Sequence, residues 1–252
     1  MKLPEGHKLV RFDEIDSTNS EAARRASAGE CGPLWIVAGK QTAGRGRLGR
    51  NWVSESGNLF ATLLKTYCCP PSALAQLGFV ASLAMHDALA AVAPGSEIEL
   101  KWPNDLLSGG AKICGILSEA VGQQPLRAAI GWGLNVAHAP SSTPYPVTSL
   151  AGLGHRIAVE LILEQLASSA VNRLQIWDEG RGFGAIRRDW LEHAVGLGGN
   201  VRIEQGENVF EGIATGLSDD GALLLEMTSG RTVAVTSGDV RFLALDATWS
   251  GS

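Results

Sequence analysis

The stretch TAGRGRLGRNW (42–52) sets the strongest limit on what this chain can fold into. It follows an apolar run, LWIVAGKQ (34–41), that reads as a buried β-strand. Gly44-Arg45-Gly46-Arg47-Leu48-Gly49 is formally G-x-G-x-x-G, and Gly44 and Gly49 have the separation of the outer glycines of a P-loop. Both templates require a helix directly after the loop. The residues that follow, NWVSESGN (51–58), have no helical periodicity. No acid stands near 64–70 to hold a ribose, and Arg50-Asn51 replace the Lys-Ser/Thr pair of a P-loop. The kinase companions V-A-I-K, H-R-D and D-F-G are absent too. The dinucleotide-binding, P-loop and kinase folds are therefore set aside. What remains is a strand followed by a loop that gathers three arginines and three glycines between 44 and 50.

Such a loop is built to hold an anion. The guanidinium groups repel one another without a partner, and the glycines add an ordering cost. The expectation is a loop that is mobile when empty and settles onto a phosphate or carboxylate, which guanidinium groups bind as forks. The whole chain is mildly acidic, with 21 Lys and Arg against 26 Asp and Glu, a formal net charge of −5. Positive charge is thus local, which favours a small anion over a long polyanion such as DNA.

The first residues, MKLPEGHKLVRFDEID, lack the apolar core of a signal peptide. The longest apolar stretch, 73–93, is broken by Gln76, His86 and Asp87, so no membrane span is expected and a cytoplasmic location is. Cys31, Cys68, Cys69 and Cys114 form no C-x-x-C pair and read as reduced, mostly buried thiols, a vicinal Cys68–Cys69 bridge being the alternative. The histidines at 7, 86, 138, 155 and 193 have no evident partners in the sequence.

Read for organisation, residues 8–15 form a short strand, and the capping cluster DSTNS (16–20) opens a helix that Gly29 ends. Strands follow at 34–41 and 58–65, then a long buried helix at 72–93 stopped by Pro94-Gly95. Strands are expected at 97–102, 113–121 and 126–136, a Pro- and Ser-rich surface loop at 138–150, and helices at about 156–179 and 183–194. From 196 the pattern changes to short alternating runs with a turn signal at Asp220-Gly221. The division is therefore 1–195 and 196–252, the second part being a separate small SH3-like all-β barrel. The stretch KWPNDLLSGGAKICGILSE (101–119) reads as one strand ending at Asp105 and another opening at Ala111, with Lys112 beside Gly115 as an anion clamp. Gly131 and Gly133 in GWGLNV mark a close approach to the backbone or sheet curvature.

Ser17-Thr18-Asn19, GRGRLGRNW (44–52), KWPNDLL (101–107), K-x-x-G-I-L (112–117) and G-x-G-L-N-V (131–136) occur together and in this order. The set, with GALLLE (221–226) in the tail, resembles the biotin protein ligases, also called biotin–[acetyl-CoA-carboxylase] ligases, over almost the whole chain. The resemblance implies an α+β fold of the class II synthetase-like ligase type. This is a mixed central β-sheet flanked by helices, with a small C-terminal SH3-like β-barrel. It implies a two-step reaction with ATP and Mg²⁺. Biotin is activated to biotinyl-5′-AMP, then passed to a lysine of a biotin carboxyl carrier protein, in acetyl-CoA carboxylase or a related biotin carboxylase.

The same resemblance suggests roles by position. Ser17, Thr18, Asn19 and Gln41 would bind biotin, with Gly44, Arg45, Gly46, Arg47, Trp52, Lys112, Gly115 and Gly133 around it. Arg45, Arg47 and Lys112 would be catalytic, stabilising charge that builds in the transition state. Gly49, Arg50, Asn104, Asp105 and Asn135 would serve the nucleotide, with Arg50 the more structural of the arginines. No dedicated metal site is expected: Mg²⁺ would ride on the ATP phosphates, with Asp105 an indirect contact.

Leu48 stands where some relatives carry a further arginine, and Tyr145 and Trp132 are the loose candidates for an adenine shelf. Motif residues begin at Ser17, which leaves no room for an N-terminal winged helix, so no DNA partner is expected. Many relatives dimerise, and a weak homodimer is the expectation. Lipoate–protein ligase and a non-catalytic biotin-binding protein are the rival readings.

Overall fold

The computed structural model describes residues 1–243, so the end of the tail, 244–252, lies outside the described residues. Strands β1 (Lys8–Ile15) and β2 (Leu34–Gln41) run parallel, joined by helix α1 (Thr18–Ser27). Ser17 starts this helix because its extended backbone lets Oγ accept from the N–H of Ser20. Glu21 lies in the first turn and Arg24 and Arg25 in the last, matching the helix dipole, and Glu21 receives both guanidinium groups at 2.8 Å.

Strands β3 (Leu59–Thr66), β4 (Glu99–Lys101), β5 (Asp105–Ser108), β6 (Ala111–Gln123) and β7 (Leu126–Leu134) complete a seven-stranded sheet of order β1-β2-β3-β7-β6-β5-β4. Only β1 and β2 pair in parallel; the remaining pairings are antiparallel, which makes the sheet mixed.

Period-two alternation assigns the two faces. Leu34, Ile36, Leu64 and Ala129 pack under Ala22 and Ala26 of α1. Trp35, Val37, Ala61 and Leu63 belong to the larger core on the other face. That core includes helices α2 (Leu77–Val92), α3 (Val159–Trp177) and α4 (Phe183–Glu192). The segment Pro71–Val92 is long and apolar enough to cross a membrane by length and composition. Leu77, Leu83, Ala84 and Leu89 are nonetheless fully buried, so it serves here as a core helix.

Two expectations change. The helix expected from 72 begins as a 3₁₀ turn, Pro71–Gln76, before α2 proper. The strand expected over 97–102 is shorter, and β5 intervenes before β6, with Gly109 and Gly110 at φ 56° and 77° forming the turn between them. Pro103 has no N–H for a ladder, so Trp102–Asn104 turns and the strand restarts at Asp105.

The tail forms β8 (Asn200–Gln205), β9 (Asn208–Leu217), β10 (Leu223–Glu226), β11 (Thr232–Val235) and β12 (Asp239–Phe242), in an antiparallel sheet of order β11-β10-β9-β8-β12. It is less separate than the sequence suggests. Val201, Leu217, Leu223 and Val240 share one continuous core with α2 and the large sheet. Trp102 Nε1 donates to Gly221 O at 3.2 Å, and a Cβ at Gly221 would sit 2.8 Å from the Phe79 ring.

The thiols are free, as expected, but not mostly buried, and most of the histidines have partners that the sequence does not show. All four cysteines are free, with Cys31 and Cys68 exposed and Cys114 buried. His7 Nδ1 accepts from Trp35 Nε1 at 3.0 Å, His155 Nε2 lies 2.9 Å from Ser96 Oγ, and His86 stacks on His193.

Candidate functional site

The site occupies one end of the large sheet, on the face that carries α1. Side chains on this face recur at every second residue: Phe60 and Thr62 on β3, Gly131 and Gly133 on β7, Gly115 and Leu117 on β6. The three glycines remove side chains from the sheet and leave a trough. A Cβ at Gly131 would lie 2.1 Å from Asn19 Oδ1. One at Gly133 would lie 2.5 Å from Trp52 Nε1, and one at Gly115 2.8 Å from Trp52 Cζ3. Gly115 and Gly133 are direct cross-strand partners, so together they seat the Trp52 indole. Trp52 Nε1 is buried there with no hydrogen-bond partner, an orphaned donor over the glycine floor.

The start of α1 lines one end of the trough. Ser17, Thr18 and Asn19 are all buried. Gln41 Oε1 accepts from Thr18 N at 2.8 Å, while Gln41 Nε2 donates to Ser54 Oγ at 3.0 Å. Thr62 Oγ1 donates to Asn19 Oδ1 at 2.7 Å and lies 2.8 Å from Thr18 Oγ1. Asn19 Nδ2 donates to Leu117 O at 3.1 Å and to Glu119 Oε2 at 2.8 Å. The result is a satisfied polar network set into an apolar sheet.

The glycine–arginine loop folds over this network. Where the sequence suggests a mobile loop, the structure has a small hairpin. Arg45 bridges Asn51, Gly46 N donates to Arg50 O at 2.7 Å, and Trp52 N donates to Gly44 O at 2.9 Å. The tip is a 3₁₀ turn, Arg47–Gly49, with Leu48 74% exposed and in the left-handed region at φ 55°. Gly44 is needed because a Cβ would lie 2.5 Å from both Ser54 Oγ and Trp52 O, and Gly49 has φ +72°. Gly46 has more room, its nearest contact from a Cβ being Arg50 O at 3.4 Å.

The cations of the loop find partners inside the protein. Arg45 Nη2 donates to Glu119 Oε2 at 2.7 Å. Arg50 pairs with Asp239 at the start of β12. Arg47 Nη1 donates to Asn104 Oδ1 at 3.2 Å, a neutral acceptor, and burial lowers the affinity of this guanidinium for its proton. A half-buried cation bonded to an amide is poised for an anion.

Lys112 approaches from β6. Its Nζ lies 2.7 Å from Asp105 Oδ1, a close ionic contact without aligned hydrogen-bond geometry, since that oxygen has no hydrogen-bond partner. The ammonium also lies 5.2 Å from the Trp52 ring centroid and 5.5 Å from that of Tyr145. Asn104 Nδ2 donates to Ile116 O at 2.6 Å, so the turn that offers Asn104 to Arg47 and Asp105 to Lys112 is pinned to β6. Arg45, Arg47, Lys112 and Trp52 thus converge on one glycine-floored trough.

The stretch of chain that builds this trough matches a known family. The Biotin/lipoate A/B protein ligase family matches residues 9–135, and the Biotin protein ligase C-terminal domain matches residues 196–243. A biotin–[acetyl-CoA-carboxylase] ligase of Paracoccus denitrificans is 41% identical over 228 residues, covering 86% of this chain and 94% of that protein.

The chain belongs to the biotin protein ligase family.

A second member, from Mycobacterium tuberculosis, is 36% identical over 240 residues, covering 90% of this chain and 86% of its own length. Among solved structures, the biotin protein ligase from Aquifex aeolicus in complex with biotin and ATP superposes with a TM-score of 0.80 at 26% identity, over 93% of this chain and 99% of that one. The mixed sheet with flanking helices and the small C-terminal β-domain are the fold of this family.

Within the ligase trough, two sequence candidates take supporting places. Asn135 is buried, its Nδ2 donating to Thr148 O at 3.0 Å, which fastens the loop after β7. Trp132 is a core residue, stacked on Trp35 at 5.5 Å with its Nε1 donating to Ala81 O, so it cannot be an adenine shelf. Tyr145 is 41% exposed, with its ring centroid 5.5 Å from Lys112 Nζ.

Several residues of the site carry no motif signal. Glu119 and Thr62 complete the Asn19 network. Asn58 Oδ1 accepts from the N–H groups of Val136, Ala137 and His138, shaping the end of the trough. A buried threonine inside the apolar run LFATLLK (59–65) was the available clue to Thr62.

Proposed function

We propose that the protein joins biotin to ATP, forming biotinyl-5′-AMP and pyrophosphate, and transfers the biotinyl group to a lysine of a biotin carboxyl carrier protein. The convergence of Arg45, Arg47 and Lys112 on the trough roofed by Trp52 carries this reading, and the ligase relatives support it.

In the first step a biotin carboxylate oxygen attacks the α-phosphorus of ATP. A P–O bond forms, the bond to the bridging oxygen breaks, and pyrophosphate leaves. The carboxylate is already ionised, so no general base is needed. The demand is to bring two anions together and to offset charge on the phosphoryl oxygens. Arg45 and Lys112 meet this by exchanging Glu119 and Asp105 for the carboxylate and phosphate, and Arg47 by adding the anion to its bond with Asn104. Ser17, Thr18, Asn19 and Gln41 hold the polar ring of biotin. Trp52, seated on Gly115 and Gly133, walls the biotin site, and Gly44 and Gly46 let the loop lie close. Gly49, Arg50, Asn104 and Asn135 face or frame the nucleotide. In the second step the carrier lysine amine attacks the acyl carbon, AMP leaves, and the amine gives up a proton.

Among the described residues, no cluster of three or more His, Cys, Asp or Glu is arranged to hold a metal ion. We infer that Mg²⁺ would ride on the ATP phosphates and neutralise their charge, with Asp105 an indirect contact. Once Lys112 turns to the phosphate, Asp105 Oδ1 is available to that ion or to the incoming ammonium.

We assign the ligation to residues 1–195 and a supporting role to 196–252, with a cytoplasmic location and a weak homodimer. The acidic net charge of −5 favours a protein partner over DNA. The test is biotin-dependent exchange of labelled pyrophosphate into ATP, run in parallel with lipoate. Exchange with biotin that is lost in Lys112→Ala supports the proposal. Exchange with lipoate alone would move the chain to the sister activity, and none with either would leave a binding protein.

A further inference from the structure

Glu119 has no place in the motifs, yet it joins the two halves of the trough. A single oxygen, Oε2, accepts from Asn19 Nδ2 at 2.8 Å and from Arg45 Nη2 at 2.7 Å. The two donors differ in freedom. Asn19 is buried, wedged against Gly131 and bonded to Thr62 and Leu117. Glu119 itself sits within β6, with 28% of its side chain exposed. Arg45 lies on the loop with 43% of its side chain exposed, and among the described residues Glu119 is its one ion-pair partner. The carboxylate and Asn19 are therefore scaffold, and Arg45 is the element that can leave.

We infer that Glu119 is a resident counter-ion for Arg45, a carboxylate built into the floor that holds this arginine until the carboxylate of the ligand replaces it, and that it thereby sets how strongly the site selects a charged ligand. The inference rests on the proposed binding of biotin at this trough. An ion pair this exposed is weak enough to exchange. While it lasts, the Arg45 charge is neutralised locally, the loop is docked, and stray anions meet a carboxylate beside the guanidinium. A ligand seated against Asn19 brings its own carboxylate to the same arginine and competes directly with Glu119. The residue is a positioning and specificity residue; it takes no part in bond making.

The discriminating variant is Glu119→Gln, which keeps an acceptor for Asn19 and removes the charge. Binding of biotin and of biotin amide, which has the same ring system and no charge, is measured by calorimetry on the full chain. Biotin binding is expected to tighten about two- to five-fold in Glu119→Gln, with biotin amide unchanged and Glu119→Asp close to the parent protein. A purely structural role would shift both ligands alike, so equal changes, or weaker biotin binding, overturn the inference.

A ligand-free readout separates this failure from that of the proposed function. Without ligand, trypsin is expected to cut after Arg45 several-fold faster in Glu119→Gln than in the parent, about two- to five-fold. Equal cutting rates overturn the inference even if biotin binds. Absence of biotin binding to the parent, with faster cutting in the variant, would refute the biotin reading and leave the counter-ion role standing.

Discussion

Arg50, at the end of the glycine–arginine loop, is paired with Asp239, the first residue of β12. The C-terminal domain therefore touches the ligand loop as well as sharing the core beneath it. Half of the Arg50 side chain and 41% of that of Asp239 are exposed, so the pair contributes only ~0.2–1 kcal/mol to stability. Its consequence lies in where the loop rests. Asp239→Asn should leave the unfolding midpoint nearly unchanged but speed tryptic cleavage after Arg50. Exchanging the charges, Arg50→Asp with Asp239→Arg, should restore docking, seen as slower cleavage at the remaining loop arginines than in either single variant. Equal cleavage in the parent, the single variants and the double variant would show that the pair does not hold the loop.

The seat of Trp52 predicts a non-additive mutant pair. A Cβ at Gly133 would fall 2.5 Å from Nε1 and 2.6 Å from Cε2 of the indole, too close for either to stay. Gly133→Ala should cost about 1–3 kcal/mol through overpacking and displacement of the ring, and should reduce biotin-dependent exchange at least ~10-fold. In a Trp52→Ala background the clash is gone, so adding Gly133→Ala should cost less than half as much. Urea denaturation of the four proteins of the cycle checks this. Strict additivity would mean that the ring does not rest on the glycine.

The chemistry of the site was largely legible in the sequence because it is local. A loop of glycines and arginines, a lysine two residues into a strand, and glycines spaced by two in another strand announce an anion and a close approach. What was not legible depends on distant partners. Asn19 and Glu119 are 100 residues apart, and nothing in GILSEA distinguishes a floor carboxylate from a solvated one. Gly115 and Gly133 could be read only as lining residues, because that both carry Trp52 follows from the register of β6 on β7. Strand β5, four residues long, is too short to show a period. The alternating pattern of the tail gave its strands but not its seam, since Trp102 and Phe79 meet Gly221 from far away in the chain. The bond from Asn135 to Thr148 O is likewise a contact that the motif alone does not announce.

The histidines predict how stability depends on pH. His193 stacks on His86 with ring centroids 3.9 Å apart, and His86 Nδ1 is buried without a hydrogen-bond partner. Burial, and then the neighbouring His86, lower the pKa of His193 from its ordinary value of 6.5. His7 is lowered as well, by burial and then by Lys65, and its Nδ1 must stay unprotonated to accept from Trp35 Nε1. In both cases the folded protein binds its proton less readily than the unfolded chain does. The contribution is therefore complete above the unfolded value of 6.5 and is lost as pH falls through the lower folded values. Carboxylates do not blur this window: Asp16, held at about 2 by Arg24, loses its contribution only as pH falls below 3.8. The urea midpoint should hence decline over the interval that begins near the unfolded value of 6.5 and runs to lower pH. His193→Gln and His7→Gln should each flatten part of that decline, together most of it. A midpoint that stays level over this interval in the parent protein would mean that both imidazoles accept protons in the fold as readily as in water.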